Sequence, residues 1–161
     1  GFMVGTHSEQ NGIIKHGSKM IQAVANATVP QITIVMGGSF GAGNYGMCGR
    51  GYDPEFIFAW PNSRTAVMGG EQAAKVMSIV TEAKMKAAGK DVPAEFLQQM
   101  EQQIIDKFNE QSHAFNGTAR LWDDGLIDPR DTRRVLALTL SVCREARLRQ
   151  LHPNTFGVAR F

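Results

Sequence analysis

Residues 31–50 read QITIVMGGSFGAGNYGMCGR, and this stretch decides the fold. Its first part, Ile32 to Met36, is short, apolar and rich in β-branched residues, as is typical of a strand covered on both faces. Five glycines follow directly, between Gly37 and Gly46. Because glycine costs conformational entropy, this density predicts a loop at which something approaches the backbone closely.

The flanking sequence alternates helix and strand patterns, which predicts an α/β fold. From Asn11 to Ala27 apolar residues recur at three- and four-residue steps, so we expect an amphipathic helix that ends at Val29-Pro30. The helix predicted at 93–110 carries an apolar stripe, which we expect to lie in the core or in a subunit interface. The remaining predicted elements are a strand end at 1–5, strands at 56–60 and 65–68, a helix opened by Gly69-Gly70, that later helix at 93–110, a C-terminal helix at 128–148 and an extended tail at 151–161.

Composition predicts one domain spanning residues 1–161, with 43% hydrophobic and 20% charged residues. The formal charge of +2 argues against nucleic acid and anionic lipid as partners. Apolar runs stay below the roughly 18 residues of a membrane span. Cys48 and Cys143 lie far apart without metal-ligand spacing, which favours the cytoplasm and no metal site. Since the chain starts with Gly1, we expect a piece of a longer protein.

The glycine loop fits two nucleotide motifs in form only. Residues 41–46 match GxGxxG, but four extra residues separate the motif from the strand and no acid ends the next strand. The spacing of Gly38 and Gly43 matches a phosphate loop. Asn44 and Tyr45, however, stand where that motif needs Lys and Ser or Thr.

A third possibility uses the backbone alone. The loop turns into a short helix at Ala42, where unpaired N–H groups at the helix start favour negative charge. Two such amides can hold an oxyanion, and each preorganised donor is worth about 3 kcal/mol of transition-state stabilisation. The alternative, that the glycines only let a helix pack on the sheet, stays open.

Side-chain candidates for catalysis are weaker. The histidines show no paired metal spacing, Ser39 lies in no GxSxG elbow, and Asp123-Asp124 are explained by capping or solvation. The four histidines are His7, His16, His113 and His152.

Four segments together resemble the carboxyltransferase β subunits of biotin-dependent acyl-CoA carboxylases, and this resemblance covers essentially the whole chain. They are GFMVG at 1–5, GGSFGAGNYGMCGR at 37–50, WPNSRTAVMGGEQAA at 60–74 and WDDGLIDPRDTR at 122–133. The GNYGMCGR run and the Trp-Pro-Asn are similar to the 3-methylcrotonyl-CoA and geranyl-CoA branch. Residues 8–10 and 154–161 favour the geranyl-CoA members.

The resemblance implies a crotonase-type fold, a twisted sheet with surrounding helices, of which this chain is most of the C-terminal, biotin-facing half. It implies an active site shared with the N-terminal half of another subunit. The backbone amides of Ala42 and Gly43 then form the oxyanion hole for the ureido oxygen of biotin. Supporting residues are Gly38 and Gly41 for the turn and Phe40, Tyr45 and Met47 for the walls of the biotin pocket.

The implied activity moves a carboxyl group from carboxybiotin to the γ carbon of an unsaturated acyl-CoA, either geranyl-CoA or 3-methylcrotonyl-CoA. Biotin is carried by a partner α subunit with biotin carboxylase and carrier functions. Biotin itself takes the γ-proton. The β subunits form a homo-oligomer. The first oxyanion hole and the CoA adenine site fall outside this chain, so we expect it to be inactive alone. Competing hypotheses are a non-catalytic assembly module and a nucleotide-binding domain.

Overall fold

The computed structural model describes residues 2–3, 5–153 and 157. At its centre four short strands form two consecutive two-stranded parallel ladders. Residues 36–37 separate the two ladders on one side and residues 60–63 on the other, and between them the Trp60 N–H donates to the Val35 carbonyl (2.9 Å). The pairs are β1 (Ile32–Val35) with β3 (Phe56–Ala59) and β2 (Gly38–Phe40) with β4 (Arg64–Ala66).

Residues 124–127 run along the other side of β3 and complete the centre. The Asp124 N–H donates to the Ile57 carbonyl (2.7 Å), and the Ile127 N–H donates to the Ala59 carbonyl (3.0 Å). This segment therefore extends the ladder by backbone pairing and brings one apolar side chain onto the core. The resulting core consists of Val35, Ile57, Ala59 and the adjoining Leu126.

The strand predicted at 32–36 is present but less buried than predicted. It ends at Val35, and its other residues are half-buried, whereas three of the four residues of β3 are buried. The difference follows from position, because β3 lies between β1 and the segment 124–127 while β1 lies at the edge. The two strands predicted after the glycine loop occur as β3 and β4, each in parallel pairing.

Asp124 secures the new edge of the ladder with its side chain as well as its backbone. Its Oδ2 accepts a hydrogen bond from the Ile57 N–H at 2.8 Å, and Ile57 is 4% exposed. Loss of this acceptor leaves the buried Ile57 N–H without a partner. We therefore expect Asp124→Ala to lower the free energy of unfolding by about 1–3 kcal/mol. Urea unfolding measures the change; the exposed Asp91→Ala is the control, and equal loss in both variants would contradict this role.

Seven helices are present among the described residues, and the four long ones lie where the sequence predicts them. The helix predicted at 11–27 is α2, and a short unpredicted helix, α1, precedes it and is separated from it by Gly12 at φ 81°. The bounds are α1 Thr6–Gln10, α2 Ile13–Ala25, α3 Gly41–Gly46, α4 Gly70–Ala87, α5 Ala94–Ser112, α6 Ala114–Thr118 and α7 Thr132–Leu148.

Helices α4 and α5 pack against each other at close range. An added Cβ at Gly70 would lie 3.1 Å from the Phe108 Cβ and 3.3 Å from the Ile105 backbone, so this glycine permits the approach. The predicted stripe of α5 is half-buried here except for Phe96, which is 54% exposed. The stripe is thus used mainly as core between the two helices.

The start of α7 confirms the capping pattern in the sequence, with one turn of 3₁₀ helix at Pro129–Asp131 in front. The Asp128 carboxylate accepts from the Arg130 N–H at 2.9 Å. Hydrogen bonds from the Arg130 guanidinium and N–H lower the pKa of Asp128 to about 2. The Trp60 indole donates to Thr132 Oγ1 (3.1 Å) and ties the helix to the end of β3.

Two predictions about the chain ends fall partly outside the described residues. Of the strand end predicted at 1–5, Phe2, Met3 and Gly5 are described and form no strand. Of the tail predicted at 151–161, residues 151–153 and 157 are described and are likewise irregular.

Candidate functional site

The predicted glycine loop divides into a strand and a helix. The sequence predicted a loop at Gly38–Phe40, but these residues form β2, which pairs with β4. Parallel backbone pairing outweighs the weak strand propensity of a glycine-rich segment. The chain then passes directly into α3, so the helix begins at the carboxyl end of β2.

Gly41 makes the strand-to-helix junction possible. Its φ is 52°, in the left-handed region, and an added Cβ would lie 2.8 Å from the Val67 carbonyl oxygen. Both facts require glycine at this position. The backbone therefore turns sharply against the end of β4 and exposes the first turn of α3.

The amides of Ala42 and Gly43 lie in that first turn. N–H groups in the first turn of a helix have no intrahelical acceptor four residues earlier. The N-cap residue Phe40 makes no side-chain capping bond, and no loop carbonyl of the described residues accepts from either amide. Ala42 is exposed, Gly43 is half-buried and the turn carries no acidic residue, so the position favours a bound negative charge.

Ala42 also borders an apolar cleft of about 360 Å³ beside α2. One acid, Glu9, and the small residues Gly17 and Ser18 lie among mainly apolar lining residues. The apolar lining residues are Phe2, Met3, Ile13, Ile14 and Ile21. Space for a hydrophobic group therefore adjoins the start of α3.

The three predicted pocket walls take different surroundings. The half-buried Phe40 ring lies over Gly38, 2.9 Å from where a Cβ would stand. The Tyr45 ring, on a residue that is 52% exposed, makes an edge-to-face contact with Tyr52 at 5.4 Å. Met47 is 67% exposed. All three lie on or next to α3, and their contact with a ligand remains a prediction.

Asn44 makes the contact that the sequence did not reveal. Its Nδ2 donates to Ser39 Oγ at 2.9 Å, across the N-terminus of α3. In the sequence, Asn44 stands where a phosphate loop needs lysine, and Ser39 stands out only as a possible nucleophile. The detectable signal was spacing, since these are the positions flanking a helix start that commonly contact each other.

The remaining polar candidates have structural partners. His113 caps α6 by accepting from the Phe115 N–H (3.3 Å), and Asp123 accepts from the Thr118 hydroxyl (2.7 Å). Burial raises the pKa of the Cys48 thiol, which therefore stays protonated at neutral pH. His113 and Asp123 therefore make structural contacts within the fold.

Among the described residues, no group of three or more His, Cys, Asp or Glu side chains is placed to hold a metal ion. None of their helices combines the length and the apolarity needed to cross a bilayer.

Comparison with known families identifies the class of protein. The model of the carboxyl transferase domain matches residues 1–158. The chain is 52% identical over 161 residues to the probable methylcrotonoyl-CoA carboxylase beta chain of Drosophila melanogaster, covering 99% of this chain and 27% of the relative. It is 50% identical over 156 residues to the biotin-dependent 3-methylcrotonyl-coenzyme A carboxylase beta1 subunit of Mycobacterium tuberculosis, covering 97% and 30%.

Solved structures give the same class. The beta subunit of Pseudomonas aeruginosa geranyl-CoA carboxylase matches with 63% identity and a TM-score of 0.87, covering 100% of this chain and 30% of that one. The transcarboxylase 12S structure, whose description reports a hexamer assembly, matches with 34% identity and a TM-score of 0.72, covering 98% and 28%.

This chain belongs to the carboxyl transferase domain family. It spans about three tenths of the length of the relatives it matches. The predicted α/β class and crotonase-like fold are confirmed. The family match favours the carboxyltransferase hypothesis over a nucleotide-binding domain.

Proposed function

We propose that this chain is the biotin-facing half of the carboxyltransferase site of a geranyl-CoA carboxylase β subunit. The observation that carries the proposal is 63% identity over the whole chain to the geranyl-CoA carboxylase beta subunit of P. aeruginosa. The relatives named for methylcrotonoyl-CoA are 52% and 50% identical, which makes a 3-methylcrotonyl-CoA carboxylase the second candidate.

The residues of α3 suit the charge that carboxyl transfer creates. Biotin, when bound, supplies the carboxyl group and a ureido oxygen that becomes negative as that group leaves. Ala42 and Gly43 offer two amides in an exposed first turn, with no acid in that turn to compete. Fixed backbone dipoles of this kind stabilise an oxyanion without reorganising during the reaction.

The surrounding residues suit a cofactor that does its own proton transfer. The described side chains near α3 include apolar Phe40 and Met47 and the phenol of Tyr45. We assign these three to the walls around the biotin ring and no side chain to the role of general base. Binding, orientation and charge stabilisation are then what this chain contributes.

Partners follow from the same proposal. We propose that the complete β subunit works as a homo-oligomer with a biotin-carrying α subunit, with acyl-CoA as substrate and without a metal in this half. Separate thiols at Cys48 and Cys143 favour a reducing compartment, for which we propose the cytoplasm. Because this chain holds only the biotin-facing half of the proposed site, we expect it to be inactive alone.

The test has two levels. In a complete subunit carrying this sequence, assembled with its biotin-carrying partner, we expect carboxylation of geranyl-CoA at least as fast as of 3-methylcrotonyl-CoA. A clear preference for 3-methylcrotonyl-CoA selects the second candidate. On the chain alone, free biotin should shift the amide resonances of Ala42 and Gly43. If free biotin shifts neither resonance and the assembled enzyme shows no turnover, the remaining hypothesis is a non-catalytic assembly module.

A further inference from the structure

Helix α3 is too short to hold its own direction. Six residues, Gly41–Gly46, allow only a few intrahelical bonds, and isolated helices of this length are unstable in water. Its orientation must therefore come from contacts outside the helix. One is the close approach of Gly41 to the Val67 carbonyl, and another is Gly46, which is buried against Phe2 and Met20.

The directional contact comes from Asn44. Its Nδ2 donates to Ser39 Oγ at 2.9 Å, and both residues are partly buried. With Phe40 as N-cap, Ser39 lies one residue before the cap and Asn44 is the fourth residue of the helix. A contact between these two positions fixes the angle at which a chain enters a helix, and here it is a hydrogen bond instead of the usual apolar contact.

Asn44 is itself held in place from the opposite side. Its backbone carbonyl accepts from the Gly49 N–H at 2.9 Å. An added Cβ at Gly49 would lie 2.1 Å from Asn44 Oδ1 and 2.6 Å from the Asn44 carbonyl oxygen. The asparagine thus fills the space against Gly49, and its amide nitrogen is left directed at Ser39.

We infer that Asn44, through Ser39, is a positioning residue that aims the Ala42 and Gly43 amides at the oxyanion. The hydrogen bond joins residues 39 and 44 and so encloses both amides between its ends. Oxyanion donors act only when they lie about 2.7–3.1 Å from the charged oxygen, so a small change in entry angle weakens both together. This inference rests on the proposed function and adds a residue to it.

The experiment compares Asn44→Ala, Ser39→Ala and the double variant in the complete subunit with its biotin-carrying partner. We expect each single variant to lower kcat about tenfold and to leave the KM for acyl-CoA unchanged. The double variant should also lose about tenfold, because two residues of one contact are not additive. Asn26→Ala is the matched control, since Asn26 is exposed and bonds only locally to the Gln22 carbonyl (2.8 Å).

Several results would overturn the inference. They are unchanged kcat in both single variants, a hundredfold loss in the double variant, or an equal loss in Asn26→Ala. A second measurement does not depend on activity: the amide resonances of Ala42 and Gly43 in this chain should shift alike in Asn44→Ala and Ser39→Ala. If the unaltered subunit transfers no carboxyl group, the proposed function fails, and unshifted amides would separately end the positioning role.

Discussion

Ala42→Pro is expected to lower kcat for carboxyl transfer about 10²–10³-fold, the usual cost of losing one oxyanion donor. Proline removes the amide hydrogen of residue 42 and leaves Gly43 as the remaining donor. The fold is expected to survive, because the amide of Ala42 lies in the first turn of α3, where proline breaks no intrahelical bond. The loss should appear in kcat more than in the KM for acyl-CoA, because the negative charge that these amides would stabilise develops only during the reaction.

Ala42→Ser is the matched control. Residue 42 is exposed, so a hydroxymethyl group fits there, and the amide hydrogen is kept. The two variants should show thermal midpoints within a few degrees of each other and differ only in turnover. Full activity in a folded Ala42→Pro subunit would remove the Ala42 amide from the mechanism, whereas equal inactivity of the serine variant would point to the side chain.

Most secondary structure was predictable because its signals are local. The capping pattern at Asp128 and Pro129 marked the 3₁₀ turn that leads into α7, three residues before α7 begins, since capping depends on residues within one turn. The apolar periodicity of α5 placed that helix within two residues of its observed end. The short helix α1 was missed, because residues 6–12 contain no apolar residue from which a periodicity could be recognised.

The candidate site was predictable in position but not in construction. The density of glycines located the segment, yet Gly38–Phe40 is strand, because its pairing with β4 depends on residues more than 20 positions away. The same distance hides the reason for Gly41, whose neighbour is the Val67 carbonyl. Non-local contacts of this kind leave no periodicity in the sequence.

The Asn44–Ser39 contact was predictable only in part. Its two members are five residues apart, and their flanking positions at a helix start could have suggested the pair. What the sequence could not show is that Gly49 leaves room for Asn44, because that depends on the chain folding back after α3.

Gly41→Ala is the second large effect, and it should damage stability and activity together. A residue with a Cβ at φ 52° costs about 1–2 kcal/mol, and here the Cβ would also stand 2.8 Å from the Val67 carbonyl oxygen. We therefore expect the free energy of unfolding to fall by about 2 kcal/mol or more. Because α3 must shift to relieve the contact, turnover in the complete subunit should fall at least about tenfold, the consequence of misaligned donors.

Gly37→Ala provides the matched comparison within the same segment. An added Cβ at Gly37 meets no atom of the described residues within 4 Å, and its φ lies outside the left-handed region. This variant should stay within about 0.5 kcal/mol of the unaltered protein in urea unfolding and keep its turnover. If both alanine variants behave alike, glycine at 41 is not what turns the chain into α3. The aim of the Ala42 and Gly43 amides must then depend on the contacts of Asn44 and Gly46.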